Sequence, residues 1–119
     1  MPHWVLVTQE LSGFLAVLSH PHRIRIIEEL REGERDVNSL QDSLAISHSG
    51  VSQHLMLLRA HRLVSERRRG RQVFYRLRQP GIAKWLMDAT QFLEQESTDA
   101  NELREAIRKT RRVWATAGK

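Results

Sequence analysis

The chain has 119 residues, a formal net charge of +5, a sequence pI near 10.7 and no cysteine. This length predicts one domain, and the basic charge favours a polyanionic partner, chiefly nucleic acid. The missing thiols exclude disulfides, thiolate metal sites and thiol redox sensing. Because no apolar run approaches the length of a membrane span and the first residues lack the pattern of a signal peptide, we expect a cytoplasmic protein with no membrane partner.

The beginning of the chain predicts an amphipathic helix whose apolar positions are spaced i, i+3, i+4 and i+7. These positions are Leu11, Phe14, Leu15 and Leu18. Trp4 precedes them in a short apolar segment, which either packs on a neighbour such as a partner subunit or is a loosely ordered terminus. Pro21 suits the first turn of a second helix, which should end at Gly33. The apolar stripe of that helix is Ile24, Ile27 and Leu30.

The next two helices have the pattern of a helix-turn-helix. Asp36 suits the N-cap of a third helix and Ser47 that of a fourth, with residues 45–47 as the turn. The inner face of the third helix is Val37, Leu40 and Leu44, and that of the fourth is Val51, Leu55 and Leu58. The two helices therefore bury one side each and leave the other side to solvent or a partner.

A polar stripe with helical spacing runs along the outer side of the fourth helix. Its members are Ser49, Ser52, Gln53 and Met56, and His48 is expected to contact DNA beside them. The stripe offers hydroxyls, one amide and one flexible apolar group, and it contains no acid to repel phosphate. These are the side chains that a helix needs to read base edges in the major groove. A solvated polar face is the alternative, and the stripe by itself leaves both open.

A strongly basic hairpin follows the fourth helix. Leu63 and Val64 open its first strand, and Gly70 lies at the tip. The alternating residues of the returning strand are Val73, Tyr75 and Leu77. Residues 59–78 include eight arginines and one acid, Glu66, whereas a solvated face usually mixes signs. We therefore predict a winged helix-turn-helix whose wing grips the phosphate backbone or an adjacent groove through Arg67, Arg68, Arg69 and Arg71.

Two further amphipathic segments complete the chain. The first carries Ile82, Trp85, Leu86, Ala89, Phe92 and Leu93, and the second carries Leu103, Ala106, Ile107, Thr110, Val113 and Trp114. Between them the pattern breaks, and Asp99 with Glu102 resembles a capping box. We predict a DNA-binding and dimerisation domain over residues 1–96 and a helical extension over residues 97–119. Three roles are open for the extension: it widens the dimer interface, it packs back on the domain, or it contacts DNA through its basic run. Packing is the favoured role.

Three segments, in their order and spacing, resemble the ArsR/SmtB family of bacterial winged-helix repressors. They are LAVLSHPHRIRIIEEL (Leu15–Leu30), SGVSQHLMLLRAHRLV (Ser49–Val64) and RRRGRQVFYRL (Arg67–Leu77). The resemblance implies a mainly α fold with a small β-hairpin wing, dimeric through N- and C-terminal helices. It also implies a homodimer on double-stranded DNA that carries an imperfect inverted repeat, with the helix that begins near Ser47 in the major groove. In that family a bound metal or another signal usually releases the DNA.

The chain departs from the family where the reading helix ends. Relatives often have Ala-Gly before the Leu-Val of the first strand, but here those positions are His61 and Arg62. Glycine would suit a left-handed helix end, and arginine there costs roughly 1 kcal/mol. The departure adds charge where the wing begins and does not threaten the fold.

Both metal sites that the resemblance would carry over lack their ligands. The thiolate positions of the first site are Asp36 and Asn38, and neither is a soft ligand. The positions of the second site are Gln79, Gly81, Phe92 and Gln95, none of them a credible zinc ligand here. We therefore predict no cofactor. A surface zinc or nickel site shared by His3, His20 and His22 is the less favoured interpretation, and capping and packing around a helix start is the favoured one.

These observations predict a sequence-specific regulator of transcription, and more specifically a repressor, without the family's usual metal-sensing sites. The alternative is a winged-helix interaction module that binds an acidic protein or RNA. The acid-free stripe favours DNA, and the lack of an aromatic platform in the basic region disfavours single-stranded RNA. An enzyme is not expected, since the chain has neither a Ser-His-acid set at motif spacing nor a glycine-rich phosphate loop.

Overall fold

The computed structural model describes residues 2–93 and 100–117. The chain divides after Gln79 into two compact units. None of the described helices is long and apolar enough to cross a membrane.

The first unit is a winged helix-turn-helix. Its helices are α1 (His3–Leu18), α2 (Pro21–Glu29), α3 (Val37–Leu44) and α4 (His48–Ala60). Its strands are β1 (Arg35–Asp36), β2 (Val64–Arg69) and β3 (Gln72–Leu77), which form an antiparallel sheet in the order β1-β3-β2. The predicted mainly helical fold with a hairpin wing is therefore confirmed.

The second unit contains α5 (Gly81–Ala89), a 3-10 turn (Thr90–Phe92) and α6 (Ala100–Ala117). The sequence predicted helical periodicity as far as Leu93, but the regular α-helix ends at Ala89. The hydroxyl of Thr90 donates to the carbonyl of Met87, a side-chain bond of the kind that competes with continued helix. Arg111 of α6 also donates to the Thr90 hydroxyl, over 3.0 Å. Asp99, one half of the predicted capping box, lies outside the described residues.

The core of the first unit lies where α2, α3 and α4 pack against one another. Its most deeply buried side chains are Ile26, Ile27, Leu30, Leu40, Val51, Leu55, Leu58 and Val64. The inner face predicted for α4 is therefore confirmed. On α2 the prediction was partly wrong, because Ile24 is 40% exposed and Ile26 is buried. The apolar residues of α2 cover more than one side of the helix, and only tertiary packing decides which side is buried.

Polar side chains cap the helices of the helix-turn-helix. Asp36 Oδ1 accepts the backbone N–H three residues further on at 2.9 Å, and Ser47 Oγ does the same at 3.0 Å. Both predicted N-caps are confirmed. His20 caps α2 in a related way, since its Nδ1 accepts the N–H of His22 at 3.0 Å.

Several boundaries differ from the sequence prediction. α1 begins at His3, well before the predicted apolar stripe that starts at Leu11. The sequence did not indicate this start because residues 4–7 are apolar on every side and so show no helical period. α2 ends at Glu29, and Gly33 lies in the turn that follows with a φ of +148°. β1 was not predicted at all. It pairs with the middle of β3, a contact between distant segments that no local pattern encodes.

The wing is a hairpin with a two-residue loop. β2 and β3 pair from Val64 opposite Leu77 to Arg69 opposite Gln72, which leaves residues 70 and 71 as the loop. Gly70 has a φ of +63°, in the left-handed region that two-residue hairpin loops require. The predicted position of the tip is therefore confirmed.

α4 ends in a Schellman motif built on arginine. The N–H of Leu63 donates to the carbonyl of Leu58 at 2.9 Å, and the N–H of Arg62 donates to that of Arg59 at 2.9 Å. Arg62 has a φ of +60°, so the predicted left-handed helix end is confirmed. Its Cβ is crowded against the backbone, which glycine would avoid.

We expect Arg62→Gly to raise the free energy of unfolding by about 1 kcal/mol, because glycine adopts this conformation without strain. Urea denaturation measures the change. Arg62→Ala is the matched control, since it removes the same side chain but keeps the Cβ, and its stability should stay within about 0.5 kcal/mol of the parent. An equal gain from alanine would show that the guanidinium, and not the backbone, is the source of strain.

Candidate nucleic-acid interface

α4 presents the predicted reading stripe on its accessible side. Ser49, Gln53 and Met56 are exposed, and Ser52 is half-buried. His48, the first residue of α4, is also exposed. The opposite side of the helix carries the fully buried Val51, Leu55 and Leu58. Burial of that side fixes the rotation of the helix, so the five candidate contact residues are held on or near one surface.

The start of α4 is fixed by closely packed hydroxyls. Ser47 Oγ accepts the N–H of Gly50 and lies 3.2 Å from Ser49 Oγ. A Cβ on residue 50 would come within 3.1 Å of Ser47 Oγ, so glycine leaves room for the cap. The first turn of the candidate reading helix therefore has a defined position at the surface.

The tip of the wing carries cations that lack partners within the described parts of the chain. Arg68, Arg69 and Arg71 are exposed, and none of their side chains forms a hydrogen bond or an ion pair with a described residue. The positive charge of these three guanidinium groups is thus directed to solvent, where an anion can approach. Arginine is well suited to phosphate because its planar group donates several hydrogen bonds in a fixed geometry.

Arg67, the fourth wing arginine of the prediction, is already engaged. Its guanidinium forms an ion pair with Glu34 and lies 5.7 Å from the centre of the Phe74 ring. The hydrogen bond from Arg67 holds the pKa of Glu34 below its usual value, and it raises the pKa of Arg67. Sequence reasoning did not anticipate Glu34, since it precedes β1 and comes near the wing only through the sheet.

The one acid of the basic hairpin is neutralised locally. Glu66 pairs with Arg59 of α4 at 2.9 Å and accepts a hydrogen bond from the Tyr75 hydroxyl at 3.2 Å. Burial raises the pKa of Tyr75, and its hydrogen bond to Glu66 adds to the shift. The carboxylate is therefore occupied by protein partners, and its repulsion of a nearby phosphate is reduced.

Arg35 is a second residue that the sequence did not single out. Its guanidinium pairs with Glu29 of α2, donates to the Ser39 carbonyl at 3.1 Å and donates to Ser43 Oγ at 2.7 Å. It therefore ties α2 to α3, the helix that supports the reading helix. No sequence pattern signals this role, since a single arginine after a turn reads as solvated.

The structure groups the histidines differently from the sequence. His20 and His22 lie together with His54 of α4, and one ring nitrogen of each lies within 4.8 Å of the others. His3 is outside this group, because α1 has 16 residues and so places about 24 Å between His3 and Ser19. Partial burial lowers the pKa of both His20 and His54, and neighbouring Arg23 and histidine charges lower them further.

The structure describes all but one of the six positions that the resemblance would assign to the two family metal sites. Asp36 caps α3, and Asn38 is exposed in its first turn. Gln79 is exposed, Gly81 begins α5 and Phe92 is 72% exposed. Gln95 lies outside the described residues.

Comparison with known proteins places these features in a family. The family model for bacterial regulatory proteins of the arsR family matches residues 20–66. The chain is 33% identical over 99 residues to the nodulation protein NolR of Rhizobium meliloti, covering 83% of this chain and 80% of NolR. It is 43% identical over 75 residues to the HTH-type transcriptional repressor SmtB of Mycobacterium tuberculosis, covering 63% of this chain and 56% of SmtB.

The fold agrees with a solved relative. The crystal structure of NolR from Sinorhizobium fredii matches with a TM-score of 0.69 and 30% identity, covering 77% of this chain and 92% of NolR. Since sequence and fold agree over most of the chain and most of a relative, this protein belongs to the ArsR/SmtB family of bacterial regulatory proteins.

Proposed function

We propose that this protein is a transcriptional repressor that binds a specific double-stranded DNA site as a homodimer. The observation that carries the proposal is found within the first unit: an exposed, acid-free face of α4 occurs together with a wing whose tip arginines, Arg68, Arg69 and Arg71, have no side-chain partner among the described residues. The name of its relative SmtB, a transcriptional repressor, supports the direction of regulation. A protein that acts on promoter DNA works in the cytoplasm of a bacterium.

The face of α4 is assigned to base readout. Gln53 has both a donor and an acceptor, and a glutamine can make two hydrogen bonds to adenine in the major groove. The hydroxyls of Ser49 and Ser52 serve either a donor or an acceptor on a base. Met56, 69% exposed, offers an apolar contact to a thymine methyl group, and His48 lies at the edge of this surface.

The wing is assigned to the backbone. Arg68, Arg69 and Arg71 supply affinity that depends on salt and is largely independent of sequence. Arg67 takes a lesser part, because Glu34 already satisfies its guanidinium. This division gives α4 the specificity and the wing the electrostatic attraction.

A homodimer accounts for the apolar surface of α1. Six large apolar side chains of this helix are 40–68% exposed: Trp4, Val5, Leu6, Val7, Leu11 and Leu15. Four of them, Trp4, Val7, Leu11 and Leu15, recur at helical spacing and so share one side of α1. A contiguous apolar surface of this kind marks an interaction site. A twofold dimer repeats α4 on both sides of its axis and so matches an imperfect inverted repeat in the operator.

The alternative, a winged-helix module that binds an acidic protein or RNA, is less well supported. Phe74 and Tyr75 are half-buried neighbours on one strand and so point to opposite sides of the sheet. Stacking of single-stranded bases needs exposed rings on a common surface. The two aromatic rings of the wing do not meet that need.

Replacing Ser52 and Gln53 by alanine should weaken binding to the protein's own operator by about 10- to 100-fold, because each good base contact contributes about 1–3 kcal/mol of discrimination. Binding to scrambled duplex should change little. Fluorescence anisotropy with labelled duplex from the gene's upstream region measures both. Asn101→Ala, an exposed amide on α6, is the control. Equal losses on both duplexes would show that α4 is not the reader.

Replacing Arg68 and Arg69 by alanine should weaken binding to both duplexes and reduce the slope of log K against log salt by about two units. The physical reason is that each contact between an arginine and a phosphate releases about one counterion when the protein binds DNA. A variant that lacks two such contacts therefore releases about two counterions fewer. The same anisotropy titration across a salt series gives the slope. Alanine at Lys84 of α5 and Arg104 of α6 removes the same charge without changing the wing, and an equal loss of slope in that variant would refute a specific role for the wing.

In sedimentation at micromolar concentration, the parent protein should be a dimer. The double variant Leu11→Glu, Leu15→Glu should be a monomer, because each chain would bury two carboxylates against its partner. Specific DNA affinity should fall with the dimer. Gln9→Glu is the control, since it adds a carboxylate on the other side of α1. A parent that sediments as a monomer would refute the homodimer.

A further inference from the structure

Three imidazole rings from two elements meet beside the reading helix. His20 and His22 flank the start of α2, and His54 lies in the middle of α4. The ring centres are 4.4 Å apart for His20 and His54, 5.2 Å for His20 and His22, and 5.5 Å for His22 and His54. All three side chains are half-buried. Among the described residues, no other set of three or more histidines, aspartates or glutamates comes this close together.

We propose that His20, His22 and His54 bind one divalent ion of a late first-row transition metal, with zinc as the reference case. Imidazole nitrogen is a ligand common to zinc, nickel and copper. Three histidines with a fourth position left to water is an established zinc arrangement. The proposed site is distinct from both positions carried over by the family resemblance, since it joins the start of α2 to α4.

The ring nitrogens already lie close to the spacing that a metal site needs. Ligand nitrogens around a tetrahedral zinc lie about 3.4 Å apart, given Zn–N bonds of about 2.0–2.1 Å. The three nitrogens here already lie within 4.8 Å of one another. The nitrogens must therefore approach one another by at most about 1.4 Å, a distance that side-chain rotation can supply.

Two existing hydrogen bonds define what the ion must replace. His20 Nδ1 accepts the N–H of His22 at 3.0 Å, and His54 Nδ1 lies 3.3 Å from Arg23 Nη1, which donates to it when Nδ1 carries no proton. A metal on Nδ1 displaces these donors directly. A metal on Nε2 moves the ring proton to Nδ1, where it meets the same donors. In either case the guanidinium of Arg23 must turn away from His54, so Arg23 competes with the ion.

The proposed site lies beside the surface assigned to base readout. His54 is next to Gln53 in the proposed reading stripe. Occupancy of the site therefore replaces a contact between Arg23 and α4 by a coordinate bond next to the surface assigned to base readout.

The test is a zinc titration of the full chain against a chromophoric chelator, without DNA, so its result is independent of the proposed repressor function. The parent should bind one zinc ion per chain. His22→Gln and His54→Gln should each weaken binding at least about tenfold, because even outer-shell partners of a metal are worth 10- to 100-fold. His22→Gln keeps the backbone N–H that His20 accepts, so the start of α2 is preserved.

His61→Gln is the matched control, since His61 is exposed at the end of α4 and lies outside the cluster. Its zinc affinity should equal that of the parent. Arg23→Gln should tighten zinc binding, because it removes both the competing donor and a neighbouring positive charge. A parent that binds no zinc, an equal loss in His61→Gln, or weaker binding in Arg23→Gln would each overturn the proposed site.

Discussion

Burial of one side of α4 is the constraint on which the rest of the structure depends. Val51, Leu55 and Leu58 are inaccessible to solvent and set the rotation of the helix about its axis. Each of them removes apolar surface from water, worth roughly 1.5–3 kcal/mol for a fully buried side chain of this size. Rotation of α4 to present another side would expose all three. The polar stripe is therefore held outward by the core behind it.

The electrostatics of the first unit follow from selective pairing. Two acids near the wing are held by particular arginines: Glu34 by Arg67 and Glu66 by Arg59. Because these pairs satisfy the carboxylates, the arginines at the tip retain an uncompensated positive charge. The positive charge of the first unit is thus exposed at the tip of the wing, where an anionic partner can approach it.

α4 also connects the candidate interface to the interior of the first unit. Its outer side carries the proposed reading residues, while His54, between the two sides, meets the start of α2. Arg35 ties α2 to α3 through Glu29, Ser39 and Ser43. A change at the start of α2 is therefore next to the helix that would contact DNA, although the family's own sensor positions hold residues of other kinds.

The sequence by itself determined the local elements and their chemistry. The spacing of apolar residues, the caps at Asp36 and Ser47, the loop at Gly70 and the left-handed end at Arg62 are all local properties of the chain, and each was predicted. Only the tertiary structure decided which side of α2 is buried, that β1 joins β3, that Glu34 meets Arg67, and that His54 rather than His3 lies with His20 and His22. These are contacts between residues that are distant in sequence, and their geometry depends on how the helices and strands pack, which no local period or propensity specifies.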